Sequence, residues 1–243
     1  EKHRVTAVVD WEWGHWGDPM EDLGNICVRE FWNPSGGLKG LFELYEQESG
    51  IPYQRQSTLY YRVQQNIRGM IPIHAVCANP PPGQSLAWYL CYRYVTDRST
   101  CEGIAEYLGI DLTVPDLPSD IEISEVLPRA ALSALRDDVI PRAEDDFLRS
   151  RAQDAARLLE CIVRKQKFGD WLEQTESEEI AALLGKPATD FQSSNRVLAE
   201  AIESRQLEDE PLLQYLARKA YRDEFVYAPV VALYPNRRWS EID

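Results

Sequence analysis

Apolar positions along the chain follow two rhythms. Residues 4–9, RVTAVV, are a short run of β-branched and small apolar residues, the pattern of a buried strand. Almost everything after it repeats at helical spacing. Asp18 is a good N-cap, Pro19 suits the first helical position and Glu21 stands where a capping box needs it, so a helix is predicted from there to about Phe31. The breaker NPSGG at 33–37 stops it. A second helix is predicted over 38–49, with Leu38, Leu41, Phe42 and Tyr45 on one face and Gly50 in the C′ position. Longer helices follow over about 57–78 and 84–108, separated by NPPPG at 79–83 and ended by Gly109.

The stretch 111–121, with two prolines and three aspartates in its first ten residues, reads as a linker. Beyond it the pattern is helical throughout. Segments are expected near 122–139, 142–168, 171–184, 190–204 and 210–226, with Gly169 and Gly185 as stops and Pro141 and Pro211 as openers. In 193–207, Val197, Leu198, Ala201 and Ile202 make an apolar stripe. The expected fold is mainly α: a unit over 1–110 with one short strand or hairpin plus helices, then an all-α bundle over 122–243.

Composition narrows the function. The net charge of −14 repels phosphate backbones and argues against nucleic-acid binding. It leaves room for a nucleotide, because a metal ion can bridge carboxylates to phosphates. The five cysteines are odd in number and contain no CxxC pair, which fits small buried apolar residues in a reducing, cytoplasmic compartment better than disulfides or zinc. The longest apolar runs, near 70–78 and 86–92, are too short to span a bilayer, so no membrane partner is expected. The chain opens at Glu1 almost inside its strand, and further sequence upstream is expected.

The chemistry concentrates in VTAVVDWEWGHWGDPMED, residues 5–22. A strand that ends in Asp10, followed by a turn and a capped helix, fixes a carboxylate at a strand end. Mg²⁺ favours one or two such carboxylates with phosphate oxygens and water. Aspartates also end buried strands with no further role, and the pattern alone leaves both readings open.

The residues themselves say more. VTAVVDWEWGHWGDPMEDLGNIC resembles the segment of aminoglycoside phosphotransferase-like kinases that reads V-x-x-V-[IVL]-D-W-E-x-x-x-x-G-[DH]-P-x-x-D-L. The similarity runs on to about Gly109 and is nearest to the kinase domain fused to some acyl-CoA dehydrogenases. The resemblance implies a protein-kinase-like C-lobe and an enzyme that uses ATP and Mg²⁺ to phosphorylate a hydroxyl of a small metabolite. It implies that Asp10 holds the metal, that Asp22 braces the catalytic loop from the following helix, and that Asp18 caps that helix. The helices over 38–108 would shape the acceptor pocket.

One departure from the family pattern is large. The family's H-x-D-x-x-x-x-N catalytic loop, with its base and second metal ligand, lies before the Asp-Trp-Glu strand, and the nucleotide lobe lies further upstream. Neither is in these 243 residues. HWGDPMEDLGN at 15–25 is no substitute, since Asn25 follows Asp18 by seven residues rather than five. No catalytic base is therefore expected in the chain, which alone should not transfer phosphate. Its missing N-terminal lobe would be its first partner.

Other candidates carry a bland reading beside the functional one. Trp11, Trp13 and Trp16 suit core or lid packing better than a stacking platform. Glu12, next to the metal position, is a supporting or solvent-facing residue. A self-contained metal site from Asp10, Glu12, His15 and Asp18 has no helical ligand spacing to favour it. His74, in MIPIHAVC, reads as a satisfied buried histidine. Arg29 and Arg68 lie on pocket-side helices by the resemblance and would meet an acidic acceptor, with surface ion pairs as the plain alternative. Runs such as RDD and EDD read as solvated helix faces. Residues 122–240 contain no histidine and no catalytic constellation. They resemble a bacterial helical domain of unknown function that can follow such phosphotransferase domains. An interaction, assembly or lid role is expected there, with self-association through it. The other reading of the whole is a non-catalytic helical interaction protein derived from such a kinase.

Overall fold

The computed structural model describes residues 6–7, 14–187 and 190–242. It is mainly helical, with no strand among the described residues. The predicted strand at 4–9 lies largely outside them, and so do Asp10, Trp11, Glu12 and Trp13.

Helix α1 (Met20–Trp32) starts where the sequence predicts. The Asp18 carboxylate accepts a hydrogen bond from the Met20 amide at 2.9 Å, and Pro19 is already in the right-handed α conformation. The capping box is incomplete, because Glu21 turns towards its neighbours instead of back to the cap. The turn after α1 is held by Glu30. Its buried carboxylate accepts from the Ser35 amide at 2.8 Å, the Ser35 hydroxyl at 2.6 Å and the Gly37 amide at 2.8 Å. Gly36 and Gly37 both have positive φ, which lets successive amides converge on one carboxylate. Helix α2 is Leu41–Ser49; Leu38 precedes it and is buried in the core.

Helix α3 (Arg55–Ala78) contains Pro72 and α4 is Leu86–Leu108. Helices α1 and α3 cross at Gly24, where a Cβ would stand 2.7 Å from the Arg62 amide nitrogen. Helix α4 lies at the centre of the molecule. Its apolar side chains are buried on several faces, among them Ala87, Cys91, Tyr94, Val95 and Ala105, so it shows little amphipathicity.

The 111–121 stretch is extended, and side-chain bonds pin it to a later helix. The Gln214 amide accepts from Thr113 N at 3.0 Å and donates to Asp111 O at 2.8 Å. Next come α5 (Val126–Ser133), a π-helical segment (Ala134–Val139) and α6 (Ile140–Arg142). Pro141 cannot donate to the carbonyl of Asp137. Arg142 covers that region instead, donating to the carbonyls of Asp137 and Asp138 at 3.4 and 2.8 Å. Pro141 thus sits in the end of one helical run rather than opening the next.

Helix α7 (Asp146–Leu184) has 39 residues, about 58 Å at 1.5 Å per residue. It begins at Asp145, whose carboxylate accepts from Leu148 N at 2.8 Å. It passes straight through Gly169, where a stop is expected. A mid-helix glycine costs only about 1 kcal/mol relative to alanine. The neighbouring Phe168 ring, packed on Phe225 at 4.8 Å, keeps the turn in place. Gly185, with φ of 62°, does end the helix.

Helices α8 (Phe191–Glu203), α9 (Asp209–Val226) and α10 (Ala228–Val231) complete the set, and α8 and α9 match the predicted spans closely. Leu198 and Ala201 of the α8 stripe are buried, while Val197 and Ile202 stay partly exposed at its edges. The core crosses the 111–121 stretch. Cys101 and Ala105 of α4 pack with Leu213 and Ala217 of α9. Phe31 and Cys91 pack with Val231, Leu233 and Trp239. Ile242 closes the cluster of Met20, Leu23, Cys27 and Leu59. No described helix is long and apolar enough to cross a membrane.

Candidate functional site

The sequence points to the N-terminal end of α1, and several polar groups converge there. Glu21, on the inner flank of the first turn, is the hub. Its Oε1 accepts from Gln65 Nε2 at 2.6 Å and lies 3.6 Å from Arg68 Nη1, and its Oε2 meets His15 Nε2 at 2.9 Å. Arg68 and Gln65 come from α3, so this carboxylate braces α1 against α3. Arg68 thus sits beside the motif, ion-paired with Glu21. The Tyr61 hydroxyl is pushed above its ordinary pKa by loss of water and by the carboxylates of Asp18 and Glu21, and it remains a neutral phenol.

Asp18 acts on the Met20 amide as the cap. Asp22 is exposed on the outer side of the same turn, and Arg29 is exposed two turns later, about 10 Å along the axis. The structure therefore brings Asp18 and Arg68 to one end of α1 and leaves Arg29 at the other. Asp10 and Glu12 lie outside the described residues. Trp16, expected to pack, is fully exposed. No group of three or more His, Cys, Asp or Glu side chains is placed to hold a metal ion among the described residues. Asp18 is occupied by its cap, and His15 by Glu21.

A second constellation joins α3 and α4. His74 Nε2 is 2.8 Å from Asp97 Oδ1, with Arg93 Nε 3.8 Å from the other oxygen. Burial raises the Asp97 carboxyl above its usual value in spite of His74 and Arg93. The His74 side chain is satisfied, as expected, but it is 40% exposed rather than buried. Cys77 stands one turn from His74 on α3, and burial raises its thiol. A thiol held protonated is a poor nucleophile, so the three residue types do not make a nucleophilic triad. The other four cysteines are free and buried, with Cys27, Cys91 and Cys101 pushed up to about 12 and Cys161 to about 11 by desolvation. These are packing residues, as read from the sequence.

Sequence reasoning missed the internal ionic networks. Buried Arg98 donates to Glu224 at 2.8 Å, Glu102 at 2.6 Å and the Arg237 carbonyl at 2.8 Å. Buried Arg62 reaches Glu106 from beneath the Trp239 ring, 4.5 Å from its centroid. Arg222, on α9, binds Glu176 at 2.7 Å and Glu179 at 3.0 Å on α7. The acids stand on α4, α7 and α9. The available signal was the arginines lying among apolar residues in α3, α4 and α9. No family model, curated protein or solved structure matches this chain.

Proposed function

We propose that the chain is the C-terminal portion of an ATP- and Mg²⁺-dependent phosphotransferase with a protein-kinase-like fold, acting on a hydroxyl of a small metabolite in the cytoplasm. The observation that carries this reading is the cap at α1. Asp-Pro at 18–19 opens the helix through the Asp18–Met20 bond, in the place that the D-W-E-x-x-x-x-G-D-P-x-x-D-L pattern requires. The outer edge of that helix supports it as well. Asp18 and Asp22, at the start of that helix, are exposed, which leaves an edge for a nucleotide lobe.

In this reading Asp10 is the metal-holding carboxylate and Asp22 the brace for a catalytic loop. Glu12, Arg29 and Arg68 border the acceptor region, Arg68 with its charge shared with Glu21. The described residues do not form a metal site by themselves, so a cation would rest on Asp10 and on groups from the missing lobe. No catalytic step is assigned to it.

The test has two arms. The 243-residue chain should show no ATP turnover with Mg²⁺ and a panel of hydroxylated metabolites. Extended by its upstream coding residues, it should phosphorylate one of them, and Asp10→Asn should lower kcat by about 100-fold or more with the fold intact. Turnover by the 243 residues alone, or an extended chain indifferent to Asp10→Asn, overturns the reading.

One observation favours the second reading, a non-catalytic interaction or assembly protein. Between α5 and α7 runs an apolar groove of about 700 Å³, bordered by Val126, Leu127 and Ile162, all well exposed. Self-association through it would show as a dimer in analytical ultracentrifugation that Leu127→Glu dissolves.

A further inference from the structure

A second cleft lies where α4, the end of α9, α10 and the following tail meet. It holds about 240 Å³, has Val95, Val231 and Tyr234 among its walls, and is rimmed by Arg98, Arg237 and Arg238. This is an uncommon grouping in a chain of net charge −14. Two carboxylates answer the three guanidinium groups. Glu224 and Glu102 both bond Arg98, and Glu102 also accepts from the Tyr221 hydroxyl at 2.8 Å. Arg238 donates to the Arg237 carbonyl at 2.9 Å, and burial raises the Glu224 carboxyl in spite of Arg98 and Arg238.

The surplus charge is on Arg237. Its guanidinium rests on the Tyr234 ring, 5.0 Å from the centroid, and its Nε is buried with no hydrogen-bond partner. It makes no ion pair among the described residues. The backbone fixes this placement: the Arg237 carbonyl is the acceptor that ties the tail to Arg98, and Asn236 just before it takes a positive φ of 57°. A half-buried guanidinium stacked on an aromatic ring, with no ion pair among the described residues and apolar side chains beside it, is a receptor for a planar anion.

We infer that this cleft binds a small aliphatic carboxylate, its oxygens on Arg237 and Arg238 and its hydrocarbon part against Val95, Val231 and Tyr234. The apolar walls at Val231 and Tyr234 favour a carboxylate over inorganic phosphate, which carries no apolar part to bury. The cleft's volume limits the guest to a few carbons. Glu224, held by Arg98, disfavours a second carboxylate on the same guest. The inference is independent of the phosphotransferase reading, because none of these residues belongs to the α1 motif.

Titration calorimetry of the whole chain with pentanoate, pentanamide, succinate and inorganic phosphate tests it. Pentanoate should bind, pentanamide should not, and phosphate and succinate should bind at least about tenfold more weakly. Arg237→Met, which keeps the stacking bulk, and Ala232→Phe, which fills the cleft from an exposed wall, should each weaken pentanoate about tenfold or more, with unchanged helical circular dichroism. The inference falls if pentanoate does not bind, if the amide binds equally well, if phosphate binds as tightly, or if both variants bind like the parent. Should either variant unfold, the comparison of acid with amide on the unaltered chain still decides.

Discussion

The α1 rim and the α7–α9 interface use the same residue types to opposite ends. At the interface, Glu176 and Arg222 are almost fully buried, and their polar atoms are spent on each other. Glu176 accepts from Arg222 and from the Tyr215 hydroxyl at 2.7 Å each, and Glu179 takes the remaining Arg222 donors together with Arg218. At the rim, Asp18 and Asp22 face water, and Glu21 shares its oxygens among His15, Gln65 and Arg68. A saturated network can hold two helices in register and has nothing left to offer a ligand. An exposed carboxylate edge adds little to stability and keeps its capacity for chemistry. The comparison separates a saturated structural network at the interface from an open carboxylate edge at the rim.

The contrast can be broken most severely at the interface. Arg222→Met strands the Glu176 carboxylate in a fully buried site, and should cost about 3–5 kcal/mol in urea unfolding. Pairing it with Glu176→Leu should recover much of that loss. A loss under about 1 kcal/mol for the single change would mean that the network is solvated and the contrast false.

Glu30 comes next, a rim-side carboxylate that is saturated like the interface. Glu30→Gln removes charge-assisted bonds to the 35–37 turn and should cost about 1–3 kcal/mol at neutral pH. Its carboxyl is held below the ordinary 4.5, first by the Ser35 hydroxyl and then by the Ser35 and glycine amides. Its contribution is therefore whole above 4.5 and lost as pH falls through the lower folded value. The variant should show a flatter acid limb of stability against pH than the parent, and identical limbs would dismiss the role.

The smallest effect belongs to Asp18→Ala. Loss of one exposed cap should lower stability by about 1 kcal/mol, seen as a small shift in the urea midpoint. A much larger loss would make Asp18 a core element rather than part of an open edge.

Much of the helical layout was legible because local chemistry settles it. Asp18-Pro19 starts α1, and Gly50, Gly109 and Gly185 end helices with positive φ. Gly169 misled because its cost is small beside the packing of Phe168, which is a tertiary effect. The crossing of the core over 111–121 was hidden for a related reason. Helix α4 is buried on several sides, so its periodicity is faint and names no partner. Trp239 stands in a polar run, NRRWSEID, that carries no helical or strand rhythm to show where it lands. At the site, the cap was readable from sequence, while the Glu21 brace was not, because Gln65 and Arg68 reach it from another helix. The pairs of Arg62 with Glu106, Arg98 with Glu224 and Arg222 with Glu176 also join different helices.

The tail has a kinetic consequence. The Trp239 indole donates to the Ser99 carbonyl at 2.8 Å across a separation of 140 residues, and Ile242 completes the cluster built by α1, α2 and α3. Helical proteins usually fold fast because their contacts are local in sequence. Here the earliest helices cannot finish packing until a distant segment returns to them. Closing that long loop should be a late and slow event, and the N-terminal helices should be the last part of the molecule to become fully protected against hydrogen exchange.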